Sequence, residues 1–265
     1  MVLKAIVTTS NHTDFDVQKR ASWWAEILKC PLISRNEHLE TSSFREFAKT
    51  YDVDVVVSVG RRNTKLVVDE QQFYFHPGMA KLRIQAVERG QQDQFIAATG
   101  LEQGFSHLDC TLGLAADAIL ASYIVGCSGK VVGVESQSLL AALAQEGLSS
   151  YSDKNRPLIE AMRKIEVINI QAKNYLTSLP EECYDVVYFD PMFRHTKRKS
   201  SAMDLLRTFG NPTPIDLSTI QEALRVARLR VVVKEGRGSG VFDELGISQI
   251  VGGKYSAVAY GILVK

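Results

Sequence analysis

Residues Tyr184 to Ala202 read YDVVYFDPMFRHTKRKSSA, and their pattern decides the fold. The stretch opens with an apolar run, Val186, Val187, Tyr188 and Phe189. An uninterrupted run of this kind marks a strand buried on both faces, as in a parallel sheet covered by helices. It stops at Asp190-Pro191. Proline has no N–H for a strand ladder and biases the residue before it toward an extended conformation. An acid is therefore presented at the carboxyl end of a buried strand, where open α/β sheets bind ligands. Met192 and Phe193 follow, and then Arg194, His195, Lys197, Arg198 and Lys199 within six positions. The order is acceptor, flat apolar surface, positive charge. That order suits a planar ring bearing an amino group and attached to a polyanion. The basic run alone reads as a solvated loop; the combination is what points to a site.

Outward from this stretch, length and composition set bounds. The 265 residues suit one large α/β domain, or one domain with a smaller companion. Hydrophobic residues at 45% and charged residues at 23% are ordinary globular values. The net charge of +1 gives no strong overall field, so attraction to nucleic acid has to come from a local patch. Cys30, Cys110, Cys127 and Cys183 are scattered and form no CxxC pair, which argues against a zinc site and fits a reducing compartment. The apolar run near the start is too short for a signal peptide, and no run approaches membrane-spanning length. The expectation is a soluble cytoplasmic protein without a metal.

Residues 1–100 read as a small N-terminal α/β unit. Strands are expected at Ala5–Thr8 and Asp54–Val59, with a hairpin from Lys65–Asp69 and Gln72–Phe75. Helices are expected at Phe15–Leu28, Ser42–Tyr51 and Met79–Glu88, with Trp23, Trp24, Ile27 and Leu28 clustering on one side of the first. Both tryptophans read as core. Residues 101–265 alternate strand and helix patterns. Strands fall at Ser106–Cys110, Lys130–Glu135, Glu166–Ile170, Asp185–Asp190 and Leu229–Lys234. Helices fall at Asp117–Val125, Gln137–Gly147, Pro157–Lys164, Ser201–Phe209 and Leu217–Val226. This βαβ series predicts a mostly parallel, doubly wound sheet with right-handed crossovers. Ile247–Val251 and Ser256–Val264, separated by Gly252-Gly253-Lys254, read as an antiparallel hairpin. A parallel sheet that ends in such a hairpin is the Rossmann-like arrangement of class I methyltransferases.

The first strand of this half runs into Asp109-Cys110-Thr111-Leu112-Gly113-Leu114-Ala115-Ala116-Asp117. A strand, a glycine-containing turn and a helix make a nucleotide-type site. A dinucleotide pattern wants three glycines so that backbone can touch a pyrophosphate, and here the later positions are alanines. S-adenosyl-L-methionine has no phosphate and tolerates the less stripped loop. Asp109 can serve its ammonium group, directly or through water. Glu135 ends the second strand, 22 residues after Gly113, where an acid accepts from both ribose hydroxyls. The third strand ends near Gln171, Ala172 and Lys173, where the adenine would lie; Lys173 itself reads as neutral surface.

With these residues in hand, the chain resembles the RsmJ-like family of small-subunit rRNA guanine-N2 methyltransferases, in particular its Gram-positive branch. The most specific piece is Asp190-Pro191-Met192-Phe193 with the basic stretch and Lys199-Ser200-Ser201-Ala202. A helix like Ala21–Leu28 and the turn Gly78-Met79-Ala80 extend the likeness to the N-terminal unit. Ala116 stands where the family usually has Arg, and Arg194 where it commonly has Pro. The resemblance implies cofactor contacts at Ala116-Asp117, Glu135-Ser136, Ala172-Lys173 and Asp190, beside Asp109, Thr111 and Gly113 of the loop. It implies an RNA partner, naked rRNA or an assembled subunit. Asp190 and a backbone carbonyl near Pro191 would orient the amino group, and Phe193 would stack on an extruded base. Arg194, His195, Lys197, Arg198 and Lys199 would hold phosphates. Two other readings stay open at this point. One is the same fold acting on adenine N6 or a protein amide. The other is a non-catalytic RNA-binding module.

Overall fold

The computed structural model describes residues 4–9, 14–33, 44–68, 71–191, 214–253 and 256–265. These fall into two compact units that part between His76 and Pro77. The first holds β1 (Ala5–Thr9), α1 (Phe15–Leu28), α2 (Phe44–Thr50), β2 (Val55–Val59), β3 (Thr64–Val68) and β4 (Gln71–Tyr74). Its four strands lie in the order β1-β2-β3-β4; the first pair is parallel and the others antiparallel. Ile6, Phe47, Val56 and Val67 form its buried core. Asp14 caps α1 by accepting from the Val17 N–H. The buried stripe of α1 is Val17, Ala21 and Trp24, at helical spacing. Trp23 is only half-buried, because a step of one residue from Trp24 turns a side chain about 100° off that stripe; Ile27 is exposed.

The second unit opens with α3 (Gly78–Glu88) and α4 (Gln94–Thr99) and continues through β5 (Ser106–Asp109), α5 (Ala116–Val125), β6 (Lys130–Glu135), α6 (Ser138–Ser150), α7 (Arg156–Arg163) and β7 (Ile165–Asn169). Then come α8 (Ala172–Ser178), β8 (Tyr184–Phe189), α9 (Leu217–Val226), β9 (Ala227–Gly236), α10 (Val241–Glu244), β10 (Gln249–Val251) and β11 (Val258–Val264). Its seven strands take the order β10-β11-β9-β8-β5-β6-β7. All neighbours from β9 to β7 are parallel, and β11 runs antiparallel to both β9 and β10. This is the class I methyltransferase sheet expected from the sequence.

The apolar run of β8 explains its central place. Val186, Val187, Tyr188 and Phe189 are all fully buried. Val187 and Phe189 join Leu108, Val134, Val231 and Val233 under Ile220, Ala223 and Val226 of α9. Strand order reverses between β5 and β8, since β6 and β7 extend one way and β9 the other. A crevice opens at the carboxyl ends of strands at such a reversal.

Some elements differ from the sequence pattern. α3 packs on α5, and α4 on β9 and β11, although the pattern counts both with the first hundred residues. The short helices α4, α8 and α10, of six, seven and four residues, were not expected; two turns or fewer carry too little periodicity to be read. The helix expected at Ser201–Phe209 and the turn residue Lys254 lie outside the described residues. No helix among the described residues is long and apolar enough to cross a membrane.

Candidate active site

The loop after β5 is held from both neighbouring strands. The Cys110 N–H donates to the Tyr188 carbonyl on the β8 side, and the Leu112 N–H to the Val134 carbonyl on the β6 side, both at 2.9 Å. Gly113 then turns with φ +51°, while a Cβ there would meet nothing nearer than 3.9 Å. Glycine is thus present for its backbone angle and not for space. Gly133 on β6 is different: a Cβ would fall 2.3 Å from Leu112 Cδ1. Its bare backbone is what lets Leu112 pack down and the loop lie against the strand.

The turn delivers the Gly113 N–H to Glu135 at the end of β6. Glu135 Oε2 accepts that N–H at 3.1 Å, and Oε1 accepts the Gln137 N–H at 2.9 Å. The residue is only 8% exposed. Burial raises its pKa, and the backbone donors at Gln137 and Gly113 work against that rise. The N–H and the hydroxyl of Ser136 add to that opposition. Asp109 is also buried and accepts the Thr111 N–H at 3.0 Å. Burial pushes its carboxyl up to about 8, with the nearby Asp117 and Asp190 charges acting in the same direction.

A cavity of about 340 Å³ lies at these strand ends. Of the residues expected from sequence, Thr111, Gly113, Glu135, Ser136, Ala172, Lys173, Asp190 and Pro191 line it. Asp109, Ala116 and Asp117 are not on its lining. Phe193, Arg194, His195, Lys197, Arg198 and Lys199 lie outside the described residues. Pro214, Ile215, Asp216 and Thr219, at the start of α9, line it without having been expected. Lys173 is less neutral than its sequence context suggests. Its Nζ donates to Asp216 Oδ2 at 3.0 Å and Ser218 Oγ at 2.5 Å, tying the start of α8 to that of α9.

Asp190 sits where β8 leaves the sheet. Its N–H donates to Thr111 Oγ1 at 2.5 Å, and its Oδ2 accepts from Lys234 Nζ at 2.7 Å. Lys234 also donates to Asp117 Oδ2 at 3.0 Å. Asp117 accepts from the Tyr188 hydroxyl at 2.8 Å and from the Arg83 guanidinium. Arg83 in turn grips both oxygens of Asp93, the N-cap of α4, at 2.8 Å each. Burial pushes Asp190 up to about 6, against the pull of Lys234. Burial also opposes the Asp117 charge, yet Lys234 and Arg83 hold that carboxyl at about 2. Asp117 therefore belongs to a buried charge relay behind the cavity wall. Lys234 escaped the sequence reading. The available signal was a lysine closing the apolar run Val231-Val232-Val233, since lysine is almost never buried unless paired.

Residues 45–257 match the family model described as "Putative SAM-dependent methyltransferase". The chain is 34% identical over 259 residues to the uncharacterized protein YpiP of Bacillus subtilis, spanning 97% of this chain and 98% of that one. It is 29% identical over 255 residues to ribosomal RNA small subunit methyltransferase J of Pseudomonas fluorescens, spanning 89% and 87%. Among solved structures, the SAM-dependent methyltransferase NGO1261 from Neisseria gonorrhoeae has the same fold, with a TM-score of 0.64 over 98% of this chain and 95% of that one at 15% identity.

The cofactor is accordingly S-adenosyl-L-methionine, and the residues present fit it. The cavity volume is in the range of small-molecule sites. Glu135 and Asp190 put two carboxylates on its lining, acceptors suited to the hydroxyl and amino groups of such a ligand.

Proposed function

The chain belongs to the SAM-dependent methyltransferase family, and from that premise we propose that it methylates an exocyclic amino group of a base in RNA, guanine N2 of small-subunit rRNA in particular. The observation that carries this is Asp190: a carboxylate before a proline, at the end of the central strand, on the cavity wall and braced by a lysine. The likeness to ribosomal RNA small subunit methyltransferase J of Pseudomonas fluorescens supports the same substrate class.

When bound, S-adenosyl-L-methionine supplies a sulfonium methyl that is already a strong electrophile. Glu135 accepts the two ribose hydroxyls, and Ser136 sits beside it. Asp109, Thr111 and Gly113 serve the amino-acid end, with Ala116 and Asp117 opening the helix behind. Ala172 and Lys173 bound the adenine side, where the tie to Asp216 narrows the rim. What remains is to align a poor nucleophile, because the guanine amino lone pair is delocalised into the ring. Asp190 accepts one of its N–H bonds and a carbonyl near Pro191 the other, which turns the lone pair toward the methyl; this is catalysis by orientation. Phe193 stacks on the base, and Arg194, His195, Lys197, Arg198 and Lys199 hold phosphates.

Mass spectrometry of nucleosides from small-subunit RNA of cells with and without this protein tests the reading. Loss of N2-methylguanosine is expected. Loss of a different methylated nucleoside would overturn the guanine assignment, and an unchanged nucleoside profile would overturn the RNA one.

A further inference from the structure

β8 and β9 run parallel with Phe189 beside Val233. The next pair outward is Asp190 and Lys234, so strand register itself brings the two together. The lysine is not loose. Its side chain is 19% exposed, and Asp117, 7% exposed, fixes it from the far side. Asp117 is in turn fixed by the Tyr188 hydroxyl and by Arg83, and Arg83 by Asp93. Among the described residues, Asp190 Oδ1 accepts no hydrogen bond, while Oδ2 is taken by the ammonium. Lys234 is not on the cavity lining.

We propose that Lys234 is a positioning residue for methyl transfer: it fastens the Asp190 carboxylate by one oxygen and leaves the other to receive an N–H of the acceptor amino group. The proposal rests on the role given to Asp190 above. The χ2 torsion of an aspartate is broad and roughly two-fold, so an untethered carboxylate samples many orientations. One charge-assisted bond to a fixed ammonium removes that freedom before substrate arrives. The same bond keeps Asp190 an acceptor. Asp117 on α5 and Glu235 on β9 surround it with negative charge, Asp109 on β5 is held protonated by burial below about pH 8, and Tyr188 and Tyr260 are neutral neighbours. Arg83 on α3 is spent on Asp93 and Asp117. Among the described residues, Lys234 is therefore the cation that offsets those carboxylates at Asp190. Without it Asp190 would take up a proton and present an O–H where the mechanism needs a lone pair.

The test uses the full chain labelled with ¹³C at aspartate Cγ, the Asp190 resonance being identified by its loss in Asp190→Asn. Wild type is expected to titrate near pH 6. Lys234→Met is expected to move that titration up by about 1–3 pH units, the usual effect of one adjacent opposite charge. Lys234→Arg should return it toward wild type. Asp117→Asn should move it down, because a repelling charge is removed and the lysine is left to Asp190 alone. In single-turnover transfer to small-subunit RNA, the acid limb of the pH profile should follow the same shifts while affinity for S-adenosylhomocysteine holds. An Asp190 titration that stays in place in Lys234→Met overturns the proposal. If that variant does not fold, Asp117→Asn decides: a downward shift supports the proposal, and no shift or an upward one overturns it. Absence of transfer to RNA by wild type would sink the proposed function, whereas the carboxylate titration reports on Lys234 independently.

Discussion

Glu135 and Asp190 stand at the ends of two strands of one sheet and line the same cavity, yet they are held in different ways. Glu135 takes its hydrogen bonds chiefly from backbone N–H groups, at Gly113 and Gln137, with the neighbouring Ser136 adding its own N–H and hydroxyl. Asp190 takes a side-chain ammonium, and behind it stands a relay through Asp117, Arg83 and Asp93. A carboxylate held by backbone is fixed by the path of the chain, and its geometry survives most side-chain changes nearby. A carboxylate held by a lysine has its charge state set as well as its orientation. The difference suits the proposed roles. The β6 end has to present a rigid acceptor to a ligand it binds and releases unchanged at that point. The β8 end has to keep an acceptor ionised while chemistry occurs against it.

The largest effect should come from breaking the β8 end. Asp190→Ala is expected to slow methyl transfer by about 10²-fold or more, the scale seen when one oriented electrostatic group is removed from a reacting centre. Affinity for S-adenosylhomocysteine should change far less. Single-turnover rates beside isothermal titration measure both, and a rate within a few-fold of wild type would erase the distinction between the two ends. Next comes Glu135→Ala. It removes two hydrogen bonds to a charged acceptor, worth about 1.5–3 kcal/mol each, so affinity for S-adenosylhomocysteine should fall by about 10²-fold or more. An unchanged titration would take Glu135 out of the cofactor site.

The same contrast governs how much could be read beforehand. Gly113 and Glu135 belong to one βαβ unit, and a strand, a turn and a second strand bring them together; the 22-residue spacing singled out both residues, though not their hydrogen bond. Asp190-Pro191 announced itself too, by ending a buried run. Lys234 lies 44 residues beyond Asp190 and meets it only through the register of β8 on β9. Arg83 lies 34 residues before Asp117, on a helix whose pattern places it with the N-terminal unit. Without that partner in view, Asp117 looked like a cofactor contact instead of a link in a relay. Backbone-held parts of the site are local and were legible; parts held by side chains across the sheet depend on tertiary register and were not.

A smaller effect tests the backbone-held end without touching a functional group. Gly133→Ala sets a Cβ 2.3 Å from Leu112 Cδ1. Leu112 lies between Thr111 and Gly113, so relieving the clash shifts the loop that feeds Glu135. Overpacking of this kind costs about 1–3 kcal/mol. Urea denaturation should register that loss, together with a weaker affinity for S-adenosylhomocysteine. A destabilised protein with unaltered affinity would show that the loop does not need its seat on β6.

The smallest effect concerns Asp109, which the proposed function assigns to the cofactor's amino-acid end and whose charge is governed by burial. Burial raises its carboxyl to about 8, above the unfolded value near 3.9. Its contribution to stability is then complete below about pH 4 and is lost as pH rises through 8. Asp190, raised to about 6, behaves alike but has finished by neutrality. His107 runs the other way: burial lowers it to about 3, so its contribution is complete above about pH 6.5. Asp93 and Asp117 are lowered, and theirs is lost only on strong acidification. The interval from about pH 7 to 8.5 therefore isolates Asp109 from these groups. Wild type should lose stability across it, by less than the limit of about 1.4 kcal/mol per pH unit for one proton. Asp109→Asn keeps a carbonyl acceptor for the Thr111 N–H but cannot ionise, so its decline should be shallower. Urea midpoints for both proteins at the two ends of the interval measure the difference. Parallel declines would leave Asp109 ionised at neutral pH and confine the tuning of carboxylate charge to the β8 end.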